Sequence, residues 1–397
     1  MTTLLFRGGT VILADQLLGN GVVAVEGHKI LAVRSGPSRS SEFGIKIIDL
    51  AGGYLAPGFI DLHVHGGAGA DFMDGTPEAF RTVCQAHARH GTTSLLATTT
   101  AARHEQHLAF LQTCRELREK DTGGARVLGA HFYGPYFAAE ARGCHPAGPV
   151  RPPQAAEYEQ YLHYADCIVT ATVAPEVPGA EEFARACQRR GIRCNAGHTH
   201  ATFDQMEAAL AWGVRHVDHL YCAMSDRARL RQTQTYPMRG GVLEATLYFD
   251  ELTTEVIADG KHLQRELLLL AHKIKGADRL ALVTDCNRAL DMPDGEYWFG
   301  PQDGGERIVR RDGVGIMADG QSLASSVVGM DHCVRVCHEL TGISLVEIVR
   351  MASLTPARII GRDAELGSIA PGKTADLVVL NSDLTVRQVC IGGQLLE

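Results

Sequence analysis

The sequence lacks several features that would place it in a class at once. No stretch of 18 or more apolar residues occurs, which leaves no candidate membrane-spanning helix. The opening MTTLLFRGGTVILADQ has neither the basic start nor the long apolar run and small-residue cleavage site of a secretory leader, so a cytoplasmic protein is expected. Eleven cysteines, an odd number, include no CxxC pair. That argues against a disulfide framework and for buried free thiols in a reducing compartment. Cys333 and Cys337, four residues apart, are expected to share one helix face as packing groups. No strand-linked GxGxxG is present, so dinucleotide binding has no motif to rest on, and HGGAGAD reads as a close-packed loop. Basic excess is missing too: 38 Lys+Arg against 46 Asp+Glu give a net charge of -8. Spread along the chain, this offers no footprint for nucleic acid or an anionic membrane, and an anionic substrate would need a locally basic pocket.

What is present is ordinary globular material. With 45% hydrophobic and 21% charged residues over 397 positions, the chain can bury a large core, and its length suits a barrel of roughly 250 residues with additions. From Leu4 to Leu50 short apolar runs alternate with turn residues, as in a small β-sheet module. From about Phe59 to Ile360 strand-like runs recur between longer amphipathic segments, the pattern of repeated βα units. Eight such strands begin at Gly58, Thr92, Arg126, Ile168, Gly191, His216, Thr254 and Arg279, and eight parallel βα units close into a (β/α)8 TIM barrel. The tail GSIAPGKTADLVVLNSDLTVRQVCIGGQLLE returns to short β runs. We therefore expect an α/β chain with residues 1–55 and 361–397 forming one small β-sandwich and residues 56–360 forming the barrel. Segments 219–244 and 286–315 read as long βα loops beside the substrate site.

The chemistry gathers at predicted strand ends. His63 and His65 form His-x-His at the end of the first strand, where alternation puts both imidazoles on one face. His198 ends the fifth strand in NAGHTH, His219 lies in the sixth in HVDHLY, and Asp285 ends the eighth in LVTDC. Barrel active sites assemble at these carboxyl ends. Three or four imidazoles with a carboxylate suit Zn2+, Fe2+ or a similar divalent ion rather than Ca2+.

Longer motifs are more specific: PGFIDLHVHGGAGADFMD, GPYF followed by GCHP, NAGHTHATFDQMEAALAWGVRHVDHLYCAMS, EVIADGKHL, ALVTDC and ELGSIAPGKTADLVVL. In this order and over essentially the whole chain, the sequence resembles the N-acetylglucosamine-6-phosphate deacetylases of the amidohydrolase superfamily. The resemblance implies hydrolysis of the acetamide of a sugar phosphate, one or two divalent ions (Zn2+, with Fe2+ or Mn2+ as alternatives), metal ligands at His198 and His219, and Asp285 as general base and acid. It implies sugar-phosphate contacts from His145 of GCHP and His262 of IADGKH, and a homodimer with composite sites.

Departures from the family's pattern are equally specific. Tyr133, in HFYGP, stands where the family carries a metal-binding glutamate. A phenol is a poor substitute, because it ionises near pKa 10. Either the ion moves to His63, His65 and Asp285, the mononuclear arrangement of amidohydrolase deaminases, or another acid such as Glu140 reaches in; we favour the first. An Asn-Ala pair of the family becomes Cys222-Ala223, and its phosphate arginine falls in an altered stretch bearing Arg227, Arg229, Arg231 and Arg239, of which Arg239 aligns best. Rival readings are a deacetylase of another acylated amino sugar such as the galacto epimer, a deaminase, and a non-catalytic sugar-phosphate sensor.

Overall fold

A computed structural model describes residues 3–36, 45–232 and 236–396, the side chains of residues 228 and 229 excepted. Its centre is a parallel barrel whose strands are Phe59–Val64, Thr92–Thr98, Arg126–Phe132, Ile168–Val173, Arg193–Ala196, Val214–Val217, Thr253–Ile257 and Leu280–Val283. Neighbours in sequence are neighbours in the sheet, as right-handed βα crossovers require. All eight strands anticipated from the sequence are found. They are almost wholly buried, because helices cover the outer face and side chains fill the interior.

The first and eighth strands meet at the seam of the barrel. Asp285 N donates to His63 O at 2.8 Å, and His65 N and Gly66 N both donate to Cys286 O, at 2.9 and 3.0 Å. Backbone pairing at the seam therefore lies on the residues of the histidine and aspartate motifs.

Both ends of the chain contribute to one further eight-stranded sheet. Its longest member, Thr3–Ile12, changes partner along its length: Thr3–Arg7 runs parallel to Ile45–Asp49, whereas Thr10 and Val11 pair with Tyr54 and Leu55. Register shifts between Phe6 and Val11 mark the bend, which folds the sheet over a core of Phe6, Val23, Leu55, Leu377 and Val379. Strand Leu377–Leu380 of the tail lies antiparallel to Tyr54–Pro57. This is the β-sandwich built from both termini.

One expectation needs correction. Segment 286–315 is no plain loop: Gly295–Phe299, Glu306–Arg311 and Val314–Met317 form an antiparallel three-stranded sheet. Its strands are short and half-exposed, with one buried position each, so their apolar alternation is weak. Phe299 and Ile308 are its buried anchors, packed with Cys144. All eleven cysteines are free, and Cys333 and Cys337 lie buried on helix Met330–Thr341. No helix among the described residues is long and apolar enough to cross a membrane.

Candidate active site

Five of the residues singled out from the sequence sit at the carboxyl ends of their strands. His63 is within the first, His65 just beyond it, and His198, His219 and Asp285 follow the fifth, sixth and eighth by two residues each. Backbone conformation aims them: His198, His219 and Asp285 have φ of +46°, +23° and +45°. Non-glycine residues adopt this left-handed region only at a cost, and such strain concentrates at functional sites. Gly143 of the GCHP motif is needed for a different reason. Its φ is +56°, and a Cβ there would lie 3.1 Å from His198 Cε1.

His65, His198, His219 and Asp285 line a cavity of about 470 Å3, and His63 is fully buried beside Asp285. His63, His65 and Asp285 offer ligand atoms within 4.8 Å of one another. His65 Nε2 is 3.2 Å and His63 Nε2 3.7 Å from Asp285 Oδ1. Nε2 of His63, Nδ1 of His65 and Nδ1 of His219 are buried without hydrogen-bond partners. An unpaired buried polar atom costs free energy. Burial alone disfavours charge on His63, but Asp285 and Glu255 outweigh it and raise its pKa to about 9. Asp285 is pulled below the ordinary carboxylate range, the His63, His65 and His219 interactions overcoming its burial. Asp285 beside the unpartnered His63 Nε2 and beside His65 Nε2 is an arrangement that a bound cation would satisfy. The donor set thus fits a divalent ion of the Zn2+ kind.

Glu255 is a functional residue that the sequence reading missed. It sits inside the seventh strand, 1% exposed. Its Oε1 accepts from His63 Nδ1 at 2.7 Å and from His219 N at 3.2 Å, and its Oε2 is 3.2 Å from His216 Nε2. A carboxylate on one ring nitrogen fixes the tautomer and turns the other nitrogen toward a metal. The available signal was an acid in TTEVI, a strand otherwise fit for full burial. Below it, His216, Asp218 and Glu255 form a second buried group, but Asp218 already accepts from Thr172 Oγ1 at 2.6 Å and Asn195 Nδ2 at 2.8 Å.

His145 lines the cavity. Its Nδ1 accepts from Ala101 N at 3.2 Å, so Nε2 carries the hydrogen. Burial first, then His198 and His65, hold its pKa well below the usual value, which makes it a neutral donor. Phe299 of the inserted sheet stands edge-on to His65 and His145, with ring centroids 5.0 and 5.1 Å away. His262 also faces the cavity. Its Nδ1 donates to Asp259 Oδ2 at 2.8 Å; burial opposes its charge, yet Asp259 raises its pKa. Cys222 and Ala223 line the wall. Tyr133 follows the third strand, fully buried, with its hydroxyl 2.5 Å from His219 Nε2. Burial, then Asp218, Asp285 and Glu255, push its pKa well above 10, so it is a phenol rather than a phenolate.

Other residues fall elsewhere. Arg239 is half-exposed 3.7 Å from Asp204 and does not line the cavity, so within one subunit it is no substrate contact. A polar loop with exposed neighbours gave no signal for its direction. Arg227 and Arg231 are exposed, and the Arg229 side chain lies outside the described residues. Glu140 is exposed at the cavity rim and joins neither ligand group.

Comparison with known proteins agrees with this architecture. Residues 54–396 match the amidohydrolase family. An N-acetylgalactosamine-6-phosphate deacetylase of Escherichia coli O157:H7 is 36% identical over 86% of this chain and 87% of its own length. The N-acetylglucosamine-6-phosphate deacetylase of Vibrio furnissii is 32% identical over 98% and 94%. Among solved structures, a mutant N-acetyl-D-glucosamine-6-phosphate deacetylase of Mycobacterium smegmatis in complex with N-acetyl-D-glucosamine-6-phosphate superposes over 100% of both chains, with a TM-score of 0.90 and 28% identity. The Pasteurella multocida deacetylase gives 0.90 and 30% over 99% of both. The chain belongs to the amidohydrolase family, on the branch of the amino-sugar-phosphate deacetylases, and is a hydrolytic enzyme.

Proposed function

We propose that the protein hydrolyses the acetamide of N-acetylglucosamine 6-phosphate to glucosamine 6-phosphate and acetate. The observation that carries this reading is the convergence of His65, Asp285 and the neutral donor His145 on one cavity, with the fully buried His63 beside Asp285, in a chain related over nearly its full length to enzymes of that name. His63, His65 and Asp285 hold a divalent ion, Zn2+ in the first instance with Fe2+ or Mn2+ as alternatives, and His198 and His219 flank it. Such an ion supplies Lewis-acid polarisation of the amide carbonyl and lowers the pKa of the attacking water.

The chain's own groups do the rest. His145 Nε2–H donates to the carbonyl oxygen and stabilises the charge that develops there. Asp285, ionised at neutral pH, accepts the water proton and passes it to the sugar nitrogen, so that an amine leaves instead of an amide anion. Ser325 Oγ, donating to Asp285 Oδ1 at 3.1 Å, steadies the carboxylate. Phe299 and Phe137 pack against the His145 ring and hold it in place. The phosphate lies toward His262, whose charged form the hydrogen bond to Asp259 favours, and toward the backbone at Cys222 and Ala223. Arg239 would meet a phosphate only across a subunit boundary, in a homodimer with shared sites.

A second reading, the galacto epimer, is favoured by the 36% identical relative and by Cys222 in place of the family's asparagine. Acetate release from the two epimeric 6-phosphates by metal-reconstituted protein tests both: the higher kcat/KM names the substrate, and release from neither rejects the proposal.

A further inference from the structure

Resting on the reading that His63, His65 and Asp285 hold the first ion, Tyr133 acquires a definite role. His198 Nδ1 donates to Ala141 O at 2.6 Å, so its Nε2 presents a lone pair to the cavity. His219 Nε2 lies 3.3 Å away. Two convergent imidazole nitrogens are two thirds of a further ligand set, yet among the described residues no carboxylate or thiol completes it. The third corner belongs to the Tyr133 hydroxyl, 2.5 Å from His219 Nε2. A buried phenol O–H needs an acceptor, and here it takes the lone pair that a metal would use. Its ring fills the space between the two places, with centroids 4.4 Å from His63 and 5.2 Å from His198.

We propose that Tyr133 limits the centre to a single ion: its phenol plugs the third corner beside His198 and His219, occupies the His219 lone pair and leaves only His198 Nε2 to accept a hydrogen bond from the substrate. Substituting a carboxylate at this one position would then open a second metal site without disturbing the first.

The test is metal content of the full chain after reconstitution with Zn2+ and desalting, together with a Co2+ titration followed by its visible spectrum. Wild type is expected to retain one ion per chain, Tyr133→Glu two, and Tyr133→Phe one with affinity within about threefold of wild type. His63→Asn should empty the wild-type site, while the Tyr133→Glu/His63→Asn double variant keeps one ion. Two ions in wild type overturn the proposal. So does a loss of about tenfold or more in affinity on Tyr133→Phe, the scale expected for a group that supports a metal, or a folded Tyr133→Glu that still holds one ion. If Tyr133→Glu does not fold, the wild-type count and the Phe variant decide. Should the wild-type ion survive His63→Asn, the underlying placement at His63, His65 and Asp285 is what fails.

Discussion

Asp285 carries two tasks on one carboxylate: it closes the ligand triangle with His63 and His65 and it is the group placed to move a proton. Asp285→Asn keeps the shape and a ligand oxygen but cannot shuttle the proton. Steady-state kinetics should show kcat lower by at least about 10²-fold, the scale of general acid–base catalysis, with KM changed far less; a kcat within tenfold of wild type would remove Asp285 from that role. Glu255 touches no substrate and acts through His63. Glu255→Gln is expected to weaken metal affinity by about 10–100-fold, measured by chelator competition, and an affinity unchanged within twofold would make it a mere filler of the barrel. The histidines and Asp285 were legible in the sequence because strand ends carry chemistry in barrels. Glu255 was not, since period-2 reading gives no reason to single out one inward acid. Nor was the direction of Arg239, which depends on a loop with little apolar content to fix it.

At the scale of elements, the cluster sits on the seam where the first and eighth strands pair, so the same backbone hydrogen bonds close the barrel and position the ligands. Strand periodicity revealed all eight barrel strands, whereas the three-stranded insert was hidden because each of its short strands has only one buried position; only the packing of Phe299 against His65 and His145 shows why it matters. Away from the cavity, His90 ends helix Pro77–Arg89 and is 2.9 Å from Asp331, in the first turn of helix Met330–Thr341, and 3.0 Å from Asp291, which Arg89 also reaches. Burial disfavours its charge, but hydrogen bonds to Asp291 and Asp331 raise its pKa to about 9. Because the folded pKa exceeds the unfolded value of about 6.5, the stability this gives is complete below about pH 6.5 and lost as pH rises through about 9. The Tm difference between wild type and His90→Asn should accordingly be largest near pH 6 and vanish above about pH 9. A pH-independent difference would assign His90 a packing role only.

For the whole molecule, the two termini form a sandwich that braces the barrel, while every group given a chemical role lies on the barrel's carboxyl end or in the segments above it. Alternating short β runs at both ends made this division legible, including the union of the two ends in one sandwich; which strand pairs with which was not, because nothing in either segment specifies its partner strand. The central claim is that a divalent ion and this cavity together hydrolyse an N-acetylated amino-sugar 6-phosphate. It is tested most directly by following acetate release from N-acetylglucosamine 6-phosphate with metal-free protein and the same protein reconstituted with Zn2+, Fe2+ or Mn2+. The account predicts turnover that is absent without metal and returns with about one equivalent per chain. Equal turnover with and without metal would contradict it, as would a fully loaded protein that releases no acetate from this sugar or from its galacto epimer.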